Sequence, residues 1–132
     1  MPPVLTRQRV RDSFDRAAAS YDEAAIVQRQ VCQLLLDDFR PTTTPDSILD
    51  AGCGTGYGIG LLQRQWPAAQ IIAVDFAPAM LAAARRSVDL CIAADIEALP
   101  CRDASCSTWW SNLTVQWCDP EAVCREAHRV LR

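Results

Sequence analysis

The chain has 132 residues, half of them hydrophobic, with 16 Asp and Glu against 13 Lys and Arg and a net charge of −3. This length and composition predict one domain with enough apolar residues for a core. No basic run favours nucleic acid or an anionic membrane, no apolar stretch approaches the ~20 residues of a membrane span, and Met1 to Arg9 lack the apolar segment of a secretion signal, so a cytoplasmic protein is expected.

Residues 5–19 predict a helix, with Val10, Phe14, Ala17 and Ala18 on one face and Arg7, Arg11, Asp12, Asp15 and Arg16 on the other. Ser20 or Asp22 offers a cap before a second helix, about 23–39, whose apolar residues are Ile26, Val27, Val31, Leu34, Leu35 and Phe39. Pro41 to Pro45 end it and form a linker. Such a pair of helices either covers the sheet or closes over a ligand.

The stretch from Ile48 to Gly58 reads as strand, turn and helix. A strand over about 46–51 breaks into four glycines within seven residues, Gly52, Gly54, Gly56 and Gly58, and a helix over 57–66 stops before Pro67. Glycine permits positive φ and close backbone approach to a ligand, and the helix start offers unpaired N–H groups. An ordinary tight turn that binds nothing needs no such glycine density. The dinucleotide fingerprint G-x-G-x-x-G would place its third glycine at 57 or 59, where Tyr57 and Ile59 stand. The phosphate loop fails too, because no Lys follows these glycines.

A second strand, 70–75, ends in Asp75, 19 residues after Gly56 and 23 after Gly52. An acid at this distance on the next strand end bonds ribose hydroxyls in Rossmann-like folds. Pro78 opens a helix that continues to Ser87, with Ala77 at the cap position. A third strand, 88–93, leads to Asp95 and Ile96; the Asp95 carboxylate can accept from an adenine amino group, or it is only a turn former. A fourth strand, 106–111, carries Trp109 and Trp110 back to back, one for each face of the sheet. Asp119 and Pro120 open a last helix, 119–131, on which the one histidine, His128, reads as structural. Seven cysteines, an odd number with no C-x-x-C pair, read as small reduced core residues, and no metal site is expected.

Several of these segments resemble a known family. Asp50-Ala-Gly-Cys-Gly-Thr-Gly56 is similar to the first motif of class I S-adenosylmethionine (SAM) methyltransferases, and Val74 to Arg85 resembles their second, with Ala77 where Ser is usual. Phe14 to Gln28, with Tyr21 between, resembles the N-terminal signature of the biotin-pathway methyltransferases that act on malonyl-acyl-carrier protein, as does Ser111-Asn-Leu-Thr-Val-Gln-Trp117. Ser107 departs from the usual Asp, and Cys101 and Cys106 from the usual Phe. The resemblance implies SAM, leaving as S-adenosylhomocysteine, held by Asp50, Gly52, Gly54, Gly56, Asp75, Phe76, Met80, Asp95, Ile96 and Asn112. It also implies acceptor-side roles for Tyr21, Gln28 and Asn112, with no catalytic base and no metal.

The fold expected is α/β, a doubly wound, Rossmann-like parallel sheet of order 3-2-1-4 with helices on both faces. Residues 1–40 are expected to form a helical lid and 46–132 the nucleotide-binding core of a single truncated domain. The function implied is methyl transfer to the free carboxylate of malonyl-acyl-carrier protein. A methyltransferase for another small molecule, or an inactive SAM-binding fragment, is the alternative. A nicotinamide-binding domain fits less well because of Tyr57 and Ile59. The run Arg129 to Arg132 leads into a fifth strand in this family, so the C-terminal strands are expected to be missing. With them absent, the chain is expected to be inactive alone and to self-associate through strand four.

Overall fold

The computed structural model describes residues 6–17, 25–88 and 90–132. Two helices come first, α1 (Arg7–Ala17) and α2 (Ile26–Asp38). The core follows as β1 (Ser47–Ala51), α3 (Tyr57–Gln65), β2 (Gln70–Asp75), α4 (Pro78–Ala84), β3 (Cys91–Ala93), β4 (Thr108–Trp110), a short 3-10 helix (Val115–Trp117) and α5 (Pro120–Val130). The strands form one parallel sheet in the order β3-β2-β1-β4, as the sequence predicts. Parallel neighbours need crossover helices, and these place β1 in the middle with its carboxyl end open to a ligand.

Alternation along the strands divides the interior into two layers. Ile48, Ile71, Ala73 and Trp110 face α2, α3 and α4, where Cys32, Leu36, Ile59, Leu62, Leu81 and Ala84 meet them. Leu49, Ala51, Val74 and Trp109 face the other side, against Ile96, Leu99, Val123 and Val130. The two tryptophans therefore do point into opposite layers. Phe39, just after α2, packs edge-on against both Trp66 and Trp110. Ile48, Leu49, Ile59 and Leu62 are fully buried, each worth about 1.5–3 kcal/mol of apolar transfer.

The second strand has the bounds the sequence predicts, but the third and fourth are shorter, for local reasons. Strand three begins at Cys91, not 88, because its rungs run only from Ala73↔Cys91 to Asp75↔Ala93. Strand four keeps only Thr108–Trp110. Ahead of it, Ser107 turns its hydroxyl to β1, accepting from the Asp46 and Ser47 backbone N–H groups and donating to the Ser47 carbonyl. The serine thus ties the starts of β1 and β4 together. The cap expected from Ser20 or Asp22 falls outside the described residues, and α2 begins at Ile26 with no side-chain cap. Asp119 does cap α5, accepting from Glu121 N–H, with Pro120 in the first turn.

The outer edge of β4 is not wholly bare. Leu131 forms a parallel bridge with Cys106, and Arg132 N–H donates to the Cys106 carbonyl at 3.0 Å. The chain's own last residues occupy the start of the edge on which self-association was expected. Among the described residues, no helix is long and apolar enough to cross a membrane.

Candidate functional site

The carboxyl ends of β1, β2 and β3 open into a cleft with about 980 Å³ of empty space, part of it continuous with solvent. Its floor is the glycine loop. Gly52, Gly54 and Gly56 all have positive φ, at 79°, 57° and 98°, so the loop turns at every second residue. Gly52 is also forced by space. A Cβ there would lie 2.3 Å from the Thr114 methyl carbon, and the Thr114 hydroxyl is 3.3 Å from the Gly52 carbonyl. Gly56 faces α4, where a Cβ would stand 3.2 Å from the Ala84 Cα, so the close packing of that helix also requires a glycine there.

Three acids meet here from three strand ends. Asp50, at β1, is 3% exposed, and burial together with the nearby Asp75 charge pushes its carboxyl up to about 7. Asp75, at β2, is 8% exposed. Its two oxygens accept from Gly54 N–H at 2.9 Å and Ala77 N–H at 3.0 Å, tying the glycine loop to the start of α4. Burial raises its pKa, and those backbone bonds oppose the rise. Asp95, after β3, accepts from Glu97 N–H at 2.8 Å and from Arg7 at 2.6 Å.

Phe76, Met80 and Ile96 supply apolar surface beside these acids. Gln28 of α2 and Asn112 after β4 line the cleft together, the Asn112 amide donating to the Gln28 carbonyl at 3.3 Å. Tyr21 lies outside the described residues. Next to Asn112, Leu113 holds φ at +54°, a backbone conformation that is strained for a leucine.

Sequence reasoning missed Arg7, Arg29, Cys32 and Tyr57, which also line the cleft. Arg7 bridges from α1 to both Asp95 and Glu97. Arg29 lies over the Tyr57 ring, 5.1 Å from its centroid. Cys32 is buried, and burial beside Asp50 pushes its thiol up to about 11, so it is a neutral wall and not a nucleophile. No local pattern marks these residues, because their partners are distant in sequence. Among the described residues, no group of three or more His, Cys, Asp or Glu is placed to hold a metal ion.

The sequence profile of the methyltransferase domain matches residues 49–132, from β1 through the cleft to the last residue. The chain belongs to the methyltransferase domain family. The chain is 46% identical, over 96% of its length, to malonyl-[acyl-carrier protein] O-methyltransferase of Dechloromonas aromatica, and 45% identical, over 96%, to the protein of that name from Laribacter hongkongensis. It covers 48% of each, so the chain spans about half the length of these curated relatives. Among solved structures, a SAM-dependent methyltransferase from Thermotoga maritima matches with a TM-score of 0.72 at 24% identity, over 90% of this chain and 55% of that one. Geranyl diphosphate C-methyltransferase from Streptomyces coelicolor, solved with S-adenosylhomocysteine, matches at 0.67 and 19%, over 76% and 40%. These two show the fold.

SAM is the cofactor of this family, and the methyltransferase domain has residues that fit it. Buried acids at strand ends suit a ligand bearing two cationic groups, and each carboxylate oxygen of Asp75 keeps acceptor capacity beyond its backbone bond. Apolar Met80 and Ile96 suit a flat base.

Proposed function

We propose that this domain binds SAM in the cleft and belongs to an enzyme that methylates the free carboxylate of a malonyl thioester on acyl-carrier protein, a step of biotin synthesis. The observation that carries the reading is one convergence. Asp50, Asp75 and Asp95 share a cleft with Gln28 and Asn112, which come from the two segments most similar to that branch of the family. The names of the curated relatives support the same acceptor.

In this reading SAM supplies a methyl group on a sulfonium. Asp75 holds the ribose hydroxyls, Asp95 and Ile96 the adenine, and Asp50 with the Gly52–Gly54 backbone the amino-acid end. Gln28 and Asn112 face the acceptor. An ionised carboxylate needs no general base, so the chain's work is alignment and exclusion of water; alignment alone can supply ~7–11 kcal/mol in favourable intramolecular cases. Residues up to 40 act as a lid on the 46–132 core, with α1 reaching Asp95 through Arg7.

The test is calorimetry with SAM, S-adenosylhomocysteine and NAD, followed by mass spectrometry of malonyl-acyl-carrier protein after incubation with SAM. Binding of the first two but not NAD, with a methyl ester on the malonyl group, is expected of the whole enzyme. Binding by this chain without transfer would favour a donor-holding module. Binding of NAD alone would overturn the reading.

A further inference from the structure

We propose that Leu113 is a specificity-determining residue of this cleft, its side chain covering the uncharged methylene and thioester of the acceptor. The inference rests on the acceptor reading above and names a contact within it. Among the described residues two non-glycines have positive φ, Ala104 at 47° and Leu113 at 54°. Ala104 is a small residue in a turn ahead of β4, and its N–H donates to the Arg129 carbonyl at 2.9 Å. Leu113 is large, and the left-handed conformation crowds its Cβ against the following carbonyl; glycine or asparagine adopts it at lower cost.

The bonds on either side hold this conformation in place. The Ser111 hydroxyl donates to the Ala51 carbonyl at 2.9 Å, and the Asn112 amide to the Gln28 carbonyl at 3.3 Å. The Thr114 hydroxyl lies 3.3 Å from the carbonyls of both Gly52 and Asn112. The neighbours of Leu113 are thus tied to the end of β1, to the glycine loop and to α2. The core does not call for the leucine. It belongs to neither apolar layer of the interior, and 43% of its surface is exposed. It lines the cleft beside Asn112. Backbone strain that the surroundings over-determine, at the wall of a cleft, marks a residue held for what the cleft binds.

The chemistry of the side chain selects the part of the ligand. A leucine offers nothing to an ammonium, a sulfonium or a carboxylate. Adenine, the flat base of the donor, belongs beside Asp95 and Ile96, beyond β2, whereas Leu113 follows β4 on the other side of β1. A malonyl thioester carries an uncharged methylene and thioester next to its carboxylate. Covering them with Leu113 takes apolar surface of both partners out of water and excludes water from beside the reacting oxygen.

The experiment uses the full chain, with S-adenosylhomocysteine as the donor probe and malonyl-pantetheine, titrated in its presence, as the acceptor probe. Leu113→Gly and Leu113→Asn both suit the left-handed backbone, so neither should lower the thermal midpoint of unfolding. Both should weaken malonyl-pantetheine by roughly three- to tenfold, the range for covering the exposed part of a leucine side chain, and leave S-adenosylhomocysteine unchanged. Leu113→Met should keep most of the affinity. A lowered midpoint with unchanged affinities would make Leu113 a packing residue and overturn the proposal. A matching loss of S-adenosylhomocysteine would place the side chain against the donor and overturn it too, as would unchanged affinity for both probes. A wild-type chain that binds S-adenosylhomocysteine but not malonyl-pantetheine would overturn this proposal and leave the SAM reading intact. A wild-type chain that binds neither would overturn the site reading itself.

Discussion

The Asp15 carboxylate accepts a hydrogen bond from the Ala79 backbone N–H at 3.0 Å, across 64 residues of sequence. This bond does what the side chain at position 77 cannot. Ala77 sits at the N-cap of α4 with no group to offer, and Asp15, brought by α1, caps the helix from outside. The first helix is therefore fastened to the core by Asp15 on α4 and Arg7 on Asp95 and Glu97, with Phe14 set edge-on against Trp117.

Asp15→Ala should destabilise the chain by about 0.5–2 kcal/mol, the range for a lost N-cap. Ala77→Ser should restore a cap in that background and add little to the wild type. Urea unfolding of the four proteins of this cycle checks it; full additivity would mean that the two positions do not share one role.

Arg7→Gln should loosen α1 over Asp95. Hydrogen exchange of residues 7–17 is expected to quicken in the variant and to slow when S-adenosylhomocysteine binds the wild type. Equal protection with and without ligand would count against a lid.

Asp75→Ala should weaken S-adenosylhomocysteine by on the order of 1–3 kcal/mol, as for hydrogen bonds to a charged group. The variant also loses the Gly54 and Ala77 bonds, so its stability should fall as well. Calorimetry at a temperature where both proteins are folded separates the two losses; an unchanged affinity would remove Asp75 from the site.

Asp50 sets a pH dependence. Its carboxyl is raised to about 7 in the folded chain, against about 3.9 when unfolded. Between those values folding takes up a proton, so stability falls as pH rises through the window and levels off above about 7. Asp50→Asn should flatten this decline, leaving the part of the same sign due to Asp75. A cationic ligand favours the ionised form, so SAM affinity should rise with pH up to about 7 in the wild type and rise less in Asp50→Asn, where Asp75 still titrates. Calorimetry across pH 5 to 8, in buffers of different ionisation heat, should detect the released proton.

Gly52→Ala should destabilise by more than about 1 kcal/mol, since it places a Cβ against Thr114 on a positive-φ backbone. Thr114→Ala should relieve the clash but not the backbone strain, so rescue by thermal unfolding is expected to be partial.

The strand, glycine loop and helix from Ile48 to Gln65 were legible because each signal is local: apolar alternation, glycine density, then helical spacing. Asp75 and Asp95 were legible because each follows a short apolar run at a strand end. The packing of Gly56 against Ala84 was not legible, because sequence shows the need for a small residue, not the direction from which the neighbour comes. Arg7, Asp15 and Arg29 carry no local signal. Each sits on a polar helix face that reads as solvated, and only the docking of α1 and α2 gives it a partner or a place in the cleft. The ends of β3 and β4 were overextended because Val88 and Cys106 suit a strand, while rung pairing with β2 and β1 decides where the strand stops.

The bridge between Leu131 and Cys106 also bears on competition for the β4 edge. A strand running on from Leu131 along β4 inherits a register already set by one rung, and its direction is already parallel. A second copy approaching the same edge must displace a tethered segment whose effective concentration is on the order of millimolar. Pairing within one chain is thereby favoured by mass action over pairing between chains at the end where β4 begins.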